Sequence, residues 1–189
     1  MDAMLNRVIR AAQLDEGLFR EVEADPSLNQ EALMVVVIVS AISGLGAFLG
    51  GLLNGRLGAA VLGLITAVVL GVVNYYIWSY VTHFIGTNLF SGTAEPGELL
   101  RVLGYASGPR ALSVLGFIPC LGGLISLGAS IWALVAGFFG VREALDLETT
   151  ETLVTVAIGW VLIFFINLLV SGIIGVGTLG LGTALNFIR

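Results

Sequence analysis

The chain has 189 residues, of which 57% are hydrophobic and only 11% are charged. Ordinary globular domains carry about 45–50% apolar and about 25% charged residues, so this composition argues against a water-soluble domain. The formal net charge of −5, with only eight basic residues, excludes the clustered basic face that nucleic-acid binding requires.

The charged residues leave four long runs without Asp, Glu, Lys or Arg. These runs cover residues 32–55, 57–94, 111–141 and 152–188. A bilayer core of about 30 Å needs about 20 apolar helical residues, so each run is long enough for at least one crossing. Membrane barrels would show short alternating segments instead. The sequence therefore predicts an all-α fold, a polytopic transmembrane helical bundle of about five spans that contacts the lipid bilayer.

An N-terminal amphipathic helix precedes the bundle. Residues 3–23 carry apolar side chains at spacings of three and four, the pattern of a helix with one buried face. We expect it to form a cytoplasmic or interfacial segment at 1–26 that packs on the bundle, and its basic first half suits contact with headgroups. Ser27 and Gln30 are predicted to form a capping box for the next helix.

The transmembrane region is predicted at 27–175. Its spans are expected at about 28–53, 58–85, 99–118, 122–141 and from Thr149 to about residue 174. The Asn-Gly-Arg stretch at 54–56 predicts a tight turn between the first two spans. Small residues at spacings of four in the first and fourth spans let a neighbouring helix approach closely, which suits a homo-oligomer as well as internal contacts. Residues 176–189 form a Gly-rich tail too short for another crossing.

The stretch 97–118 allows two courses. As one helix, it forms the third span and places Arg110 near the middle of the membrane, where an unpaired charge costs roughly 2.5–3.5 kcal/mol. Alternatively, 97–108 lies on the surface, and the chain enters the bilayer only after Pro109, as a re-entrant hairpin or one long kinked helix. We expect the single span, because a Pro- and Gly-rich break follows directly at 119–123.

Charged residues beside the spans are the candidate functional residues. Since an unpaired intramembrane charge is expensive, we expect Arg110 to pair with an acid, and Glu143, next to Arg142, is the acid we name. Glu98 and Arg101 lie three residues apart and are close enough to pair on one helix face. The alternative is that these arginines only anchor helix ends.

Reactive groups inside the spans are scarce. His83 is the only histidine and Cys120 the only cysteine, so the sequence has neither a His pair nor a Cys set with the spacing of a metal site. We expect no cofactor, no metal and no enzymatic activity. Asn74 and Asn167 lie within apolar runs, where interhelical hydrogen bonds are their expected role.

Four segments carry a family resemblance through their order and spacing. They are 23–33 (EADPSLNQEAL), 99–109 (LLRVLGYASGP), 119–123 (PCLGG) and 139–145 (FGVREAL). Together they resemble the Yip (Ypt-interacting protein) domain family, and its prokaryotic membrane branch in particular, over about residues 15–170. The resemblance implies a five-helix membrane domain with its N-terminus in the cytosol.

The resemblance also bears on single residues. It places the family's Gly-Tyr-x-x-x-Pro pattern on Gly104, Tyr105 and Pro109. Eukaryotic members bind Rab-type GTPases and act in vesicle traffic. They carry an Asp-Leu-Tyr-Gly-Pro motif near the first span, and this sequence does not contain that motif.

The functional expectation is a non-enzymatic integral protein of a prokaryotic cell membrane. Five spans would place more arginines on the side of the N-terminus than on the other, which favours a cytoplasmic N-terminus. We expect the cytoplasmic segments to bind a protein partner or to organise the membrane as a scaffold. The alternative is a small transporter or channel subunit, in which the break at 119–123 exposes backbone carbonyls to a cavity.

Overall fold

The computed structural model is largely helical over the residues that it describes. It describes the backbone of residues 1–187 and the side chains of residues 1–166, 168 and 169. Over this part of the chain there are seven α-helices and no strand. The helices are α1 (Asp2–Ala12), α2 (Glu16–Ala24), α3 (Asn29–Leu53), α4 (Leu57–Leu89), α5 (Pro96–Ala106), α6 (Gly122–Leu145) and α7 (Thr149–Phe187). The predicted all-α bundle is confirmed.

Four helical segments are long and apolar enough to cross a membrane, among the residues searched. They are Pro26–Leu53, Leu57–Leu89, Gly122–Leu145 and Thr149–Ile166. Large apolar side chains on them point away from the protein, with Leu62, Leu124 and Phe164 being 66%, 67% and 55% exposed. So much exposed apolar surface is unusual for a soluble protein and matches helices that face lipid.

The N-terminal segment is two helices, so the prediction of one helix at 3–23 is wrong. α1 ends before Leu14, which has a left-handed backbone with φ 62°. Asp15 then caps α2, because its side chain accepts a hydrogen bond from the backbone N–H of Leu18 at 3.3 Å. An aspartate cap at this point starts a new helix, and the chain changes direction between the two.

The beginning of α3 also differs from the prediction. Asp25, and not Ser27, supplies the cap: its side chain accepts a hydrogen bond from the backbone N–H of Ser27 at 2.9 Å. Pro26 lies in the first turn of a short 3₁₀ helix, Pro26–Leu28, that leads directly into α3. The predicted capping box between Ser27 and Gln30 is therefore absent at this helix start, which has no side-chain cap of its own.

α3 and α4 form a close antiparallel hairpin. The predicted turn is present, with Gly55 at φ +68°. A Cβ added to Gly51 would lie 2.8 Å from the Cβ of Ala60, so the two helix backbones are nearly in contact. These glycines serve contacts within the chain, as the small-residue spacing allows.

The segment after α5 is not the continuous span predicted at 99–118. α5 ends at Ala106, and a 3₁₀ helix over Gly108–Phe117 follows, which we call the 3₁₀ segment. Pro109 lies in its first turn, where its ring and missing N–H do not permit α5 to continue. Cys120, at φ 67°, then reverses the chain into α6.

α5 and the 3₁₀ segment together follow α3 along most of its length. Gly104 packs against Ala32, Ser43 donates to the carbonyl oxygen of Arg110 at 2.8 Å, and a Cβ on Gly50 would lie 4.0 Å from Phe117. From its first residue to Gly50, α3 rises about 32 Å at 1.5 Å per residue, close to the hydrocarbon thickness of a bilayer. The bundle thus has four continuous helices and a broken fifth pass, the kinked form of the third span.

All of the acidic residues gather at one end of the bundle, which we call the basal end. It comprises the first turns of α3, α5 and α7, the last turns of α4 and α6, the connections between these helices, and α1 and α2 with the residues that join them to α3. Leu145 ties these turns together, since its carbonyl oxygen accepts a hydrogen bond from Thr93 N–H at 3.3 Å and its side chain lies against Gly86. α1 and α2 pack on this end, with Phe19 and Val22 fully buried.

The predicted Gly-rich tail at 176–189 begins within α7, whose backbone is helical to Phe187. The side chains of this tail and the side chain of Asn167 lie outside the described part of the chain.

Candidate functional site

Two ion-pair networks hold the N-terminal helices on the basal end. The first, the α1–α3 network, contains Arg7, Arg10, Asp15, Glu21 and Glu31. Arg10 donates to Asp15 and Glu21, both at 2.7 Å, and Arg7 donates to Glu31 at 2.9 Å and Glu21 at 3.3 Å. These arginines hold the pKa of Glu21 and of Asp15 below their ordinary values, chiefly through the Arg10 hydrogen bonds.

Tyr105 extends the α1–α3 network into the protein core. Its ring is fully buried, and its hydroxyl donates a hydrogen bond to the carboxylate of Glu31 at 2.7 Å. Gly104 precedes it, and a Cβ there would lie 2.8 Å from the Cβ of Ala32. Two residues of the predicted Gly-Tyr-x-x-x-Pro pattern therefore fix α5 against α3.

The second network, the α2–α6 network, contains Glu16, Arg20, Arg142 and Glu143. Arg142 donates to Glu16 at 2.5 Å and to Glu143 at 2.9 Å, and Arg20 donates to Glu143 at 2.6 Å. Glu143 is therefore occupied by two arginines at the basal end. The predicted pair of Arg110 with Glu143 is wrong, because Arg110 lies in the 3₁₀ segment, well along the bundle from this end.

Arg101 is a buried cation that joins three helices. It is 5% exposed and donates to the carbonyl oxygens of Val22 and Glu23 and to the side-chain oxygen of Asn29. The last carbonyl groups of α2 have no partners within their own helix, and a positive charge is favoured beside them.

The predicted pairing of Arg101 with Glu98 is not formed. Glu98 instead accepts a hydrogen bond from the backbone N–H of Glu95 at 3.2 Å, as part of a reciprocal capping box at the start of α5. The guanidinium of Arg101 donates to carbonyl groups at the C-terminal end of α2. Glu98 therefore caps the start of α5, while Arg101 caps the end of α2.

Glu23 is the residue of the basal end that sequence reasoning missed. One of its carboxylate oxygens is buried and has no hydrogen-bond partner among the described residues. Burial, followed by the nearby charges of Asp146, Glu143 and Glu98, raises the pKa of Glu23 to about 7. Nothing in the local sequence distinguishes it from the other acids of α2, since its neighbours come from α5 and α6.

A central cavity lies between α3, α4, α6 and α7 and is bounded by α5 and the 3₁₀ segment. Its volume is about 670 Å³, within the usual range for small-molecule sites. The polar residues lining it are Ser40, Ser43, Asn74, Ser107, Arg110 and Ser130. No Asp or Glu belongs to the described lining.

Arg110 is the one charged residue in the described lining of this cavity. Its side chain is exposed, and no described residue forms a hydrogen bond or ion pair with its guanidinium. Its carbonyl oxygen is bonded to Ser43, which lies about 21 Å along α3 from Asn29 and about 15 Å from Leu53 at 1.5 Å per residue. Arg110 therefore lies beside the middle part of α3, and no described acid forms the ion pair that was expected for it.

The remaining reactive residues make ordinary contacts. A ring nitrogen of His83 lies 3.0 Å from the carbonyl oxygen of Ala94, and Cys120 is exposed in the turn before α6. Across the described side chains, no group of three His, Cys, Asp or Glu residues could hold a metal ion.

These features define a polytopic α-helical membrane protein with a folded N-terminal cap at one end. The Yip1 domain family matches the chain over residues 16–183, and the chain therefore belongs to that family. The match begins at the first residue of α2 and ends within α7. No curated protein and no solved structure matches the chain.

Proposed function

We propose that this Yip1 family member is a non-catalytic membrane scaffold that recruits a protein partner with a basic surface. The observation that carries the proposal is the charge of the basal end. All thirteen acidic residues belong to it, and its five arginines are already engaged in the contacts described above. The charges left for a partner are therefore negative.

We further propose that the basal end faces the cytosol of a prokaryote, in its plasma membrane. Arg7, Arg10, Arg20, Arg101 and Arg142 lie at this end, and only Arg56 lies in the turn at the opposite end of α3 among the described residues. An excess of arginine marks the cytoplasmic side of a membrane protein. The resemblance to the prokaryotic branch of the family supports the choice of membrane.

The N-terminal helices would form a rigid part of this surface. Both networks fix α1 and α2 to the bundle, and α1 still exposes Met1, Leu5 and Ile9, which lie four residues apart on one side. An exposed apolar row of this kind suits contact with lipid headgroups or with the apolar part of a partner surface.

The proposal is tested by photocrosslinking in cells with a photoreactive amino acid at Thr150, which is exposed at the basal end. We expect an adduct with a protein whose crosslinked region is basic. The triple variant D2N/D146N/E148Q removes three exposed acids and keeps their polar contacts, so we expect at least about a threefold loss of adduct, since exposed charges contribute modestly each.

The matched control places the photoreactive residue at Leu57, which is exposed at the opposite end of the bundle. An adduct formed equally well from Leu57, or one that the triple variant leaves unchanged, would contradict recruitment by the acidic surface. A lipid adduct alone at Thr150 would do the same.

The central cavity favours a second candidate function, a small transporter. The cavity lining contains several polar residues and the cation of Arg110, which no described acid neutralises. Polar groups of this kind could bind a solute on its way through the membrane. In reconstituted liposomes, transport through the cavity predicts a solute flux that disappears in Arg110→Ala and persists in Arg56→Ala. Without such a flux, this second candidate is rejected and the scaffold proposal is unaffected.

A further inference from the structure

We propose that the central cavity binds the oxyanionic headgroup of a membrane amphiphile and that Arg110 is its counter-charge. This site is separate from the basal end, so the proposal does not depend on the scaffold function. The observations that carry it are an uncompensated cation, serine hydroxyls in the same cavity lining, and exposed apolar residues in that lining.

The first observation is the contrast between Arg110 and the other arginines near the core. Arg101 directs its guanidinium at three oxygen atoms, and Arg142 is paired with two carboxylates. The guanidinium of Arg110 has five N–H donors and no acceptor among the described residues. Since an unpaired cation at this depth is unfavourable, a bound anion is the group that completes the site.

The second observation concerns the serines. The hydroxyl of Ser43 donates to the carbonyl of Arg110, Ser107 donates to Gly104, and Ser130 donates to Ser126. Their protons are used by the backbone, so the lone pairs of these hydroxyl oxygens remain for acceptor bonds. Arg110 therefore supplies the donors for an oxyanion, and the serines supply acceptors for hydroxyl groups on the same headgroup.

The third observation distinguishes an amphiphile from a soluble anion. The lining also contains the apolar residues Leu127, Ile131 and Trp160, which are 59%, 54% and 53% exposed. Since exposed apolar residues of membrane-crossing helices face lipid, these residues would give the cavity an opening toward the acyl chains. A ligand with an acyl chain can place its headgroup beside Arg110 while its chain lies along these residues.

The experiment uses the full chain in a neutral maltoside detergent, with intrinsic tryptophan fluorescence as the signal because Trp78 and Trp160 line the cavity. The probes are dioctanoyl phosphatidylglycerol and dioctanoyl phosphatidylcholine, added as increasing mole fractions of the micelle. We expect saturable binding of phosphatidylglycerol that is about tenfold tighter than binding of phosphatidylcholine. Both lipids carry the phosphodiester oxyanion, but the choline cation of phosphatidylcholine offsets its charge beside Arg110. Its headgroup also lacks the hydroxyl groups that the serines would accept.

The Arg110→Gln variant is expected to bind phosphatidylglycerol more weakly than the wild type does and to lose most of the preference for it over phosphatidylcholine. Arg56→Gln is the matched control, because it removes an arginine at the bundle surface and should leave the preference intact. Ala133→Leu, which fills part of the lining and keeps Arg110, should weaken binding of phosphatidylglycerol and shows the role of the cavity even if Arg110→Gln fails to fold.

Three results would overturn the proposal. The first is equal binding of the two lipids by the wild type. The second is an unchanged preference in both Arg110→Gln and Ala133→Leu. The third is displacement of the lipid by inorganic phosphate at the same concentration, which would identify a site for soluble oxyanions and not for an amphiphile.

Discussion

Replacing Arg101 with methionine is expected to lower the free energy of unfolding by about 3 kcal/mol or more. The substitution leaves the carbonyl oxygens of Val22 and Glu23 and the side-chain oxygen of Asn29 without their donor. A buried polar group that loses its partner costs about 1–3 kcal/mol. Methionine retains most of the apolar volume, so the effect reports the hydrogen bonds and not a cavity.

The loss should be visible both as stability and as detachment of the N-terminal helices. We expect a lower midpoint of thermal unfolding in detergent and faster tryptic cleavage after Arg7, Arg10 and Arg20, which the folded N-terminal cap protects. Arg56→Met is the control, since Arg56 lies in an exposed turn. Unchanged cleavage together with an unchanged midpoint would show that Arg101 does not hold α2 in place.

The elements that were predicted well depend on residues next to one another. The predicted starts of four crossings lie within one residue of the helix starts, and the predicted span 28–53 also agrees at its end with α3 at Asn29–Leu53. The turn at 54–56 followed from an Asn-Gly pair, and Gly55 has the positive φ that such a turn requires. Length, apolarity and turn chemistry are local properties, so a single sequence is sufficient to reveal them.

The helix breaks were harder to predict, because apolar periodicity continues across them. Leu14 adopts a left-handed conformation that its residue type does not favour, and the one local signal was the aspartate that follows it. Pro109 did signal a break, and the kinked course was among the alternatives. Close packing of the 3₁₀ segment on α3 decides between them: a Cβ on Gly46 would lie 2.6 Å from the carbonyl oxygen of Val114.

The contacts of the basal end could not be predicted from the sequence. Arg20 and Glu143 are 123 residues apart, and Arg101 and Val22 are 79 apart. From charge alone, each arginine could pair with any of several acids. Glu143 was therefore predicted to pair with Arg110, whereas it pairs with Arg20 and Arg142. The choice depends on how α2 lies across α5 and α6, which is a property of the packed bundle.

Glu23 makes the protein less stable as the pH rises from about 4.5 to 7. Its pKa is raised from 4.5 to about 7 in the folded protein, so across this interval the folded state keeps a proton that the unfolded state has lost. The stabilisation is therefore present below pH 4.5 and is lost as the pH rises through about 7. Because Glu23 is only partly buried, solvent screening makes the loss smaller than the full pKa shift would give.

The Glu23→Gln variant is expected to remove this loss, because a neutral amide does not titrate. At pH 8 the variant should be more stable than the wild type, and the two should converge below pH 4.5, where Glu23 is protonated in both the folded and unfolded states. Thermal unfolding in detergent at several pH values measures the difference between the two proteins. Other acids, such as Asp15 and Glu21, contribute equally to both curves and cancel.

The matched control is Glu148→Gln, which removes an exposed acid of the same basal end. If Glu148→Gln and Glu23→Gln stabilise the protein equally at pH 8, the effect comes from the overall negative charge and not from the buried carboxylate. A larger effect at Glu23, confined to pH values above 4.5, follows only from its buried oxygen and the acids of α5 and α6 around it. The same acids form the surface proposed to receive a basic partner, so binding that partner should lower the pKa of Glu23 and reduce the difference between the two proteins.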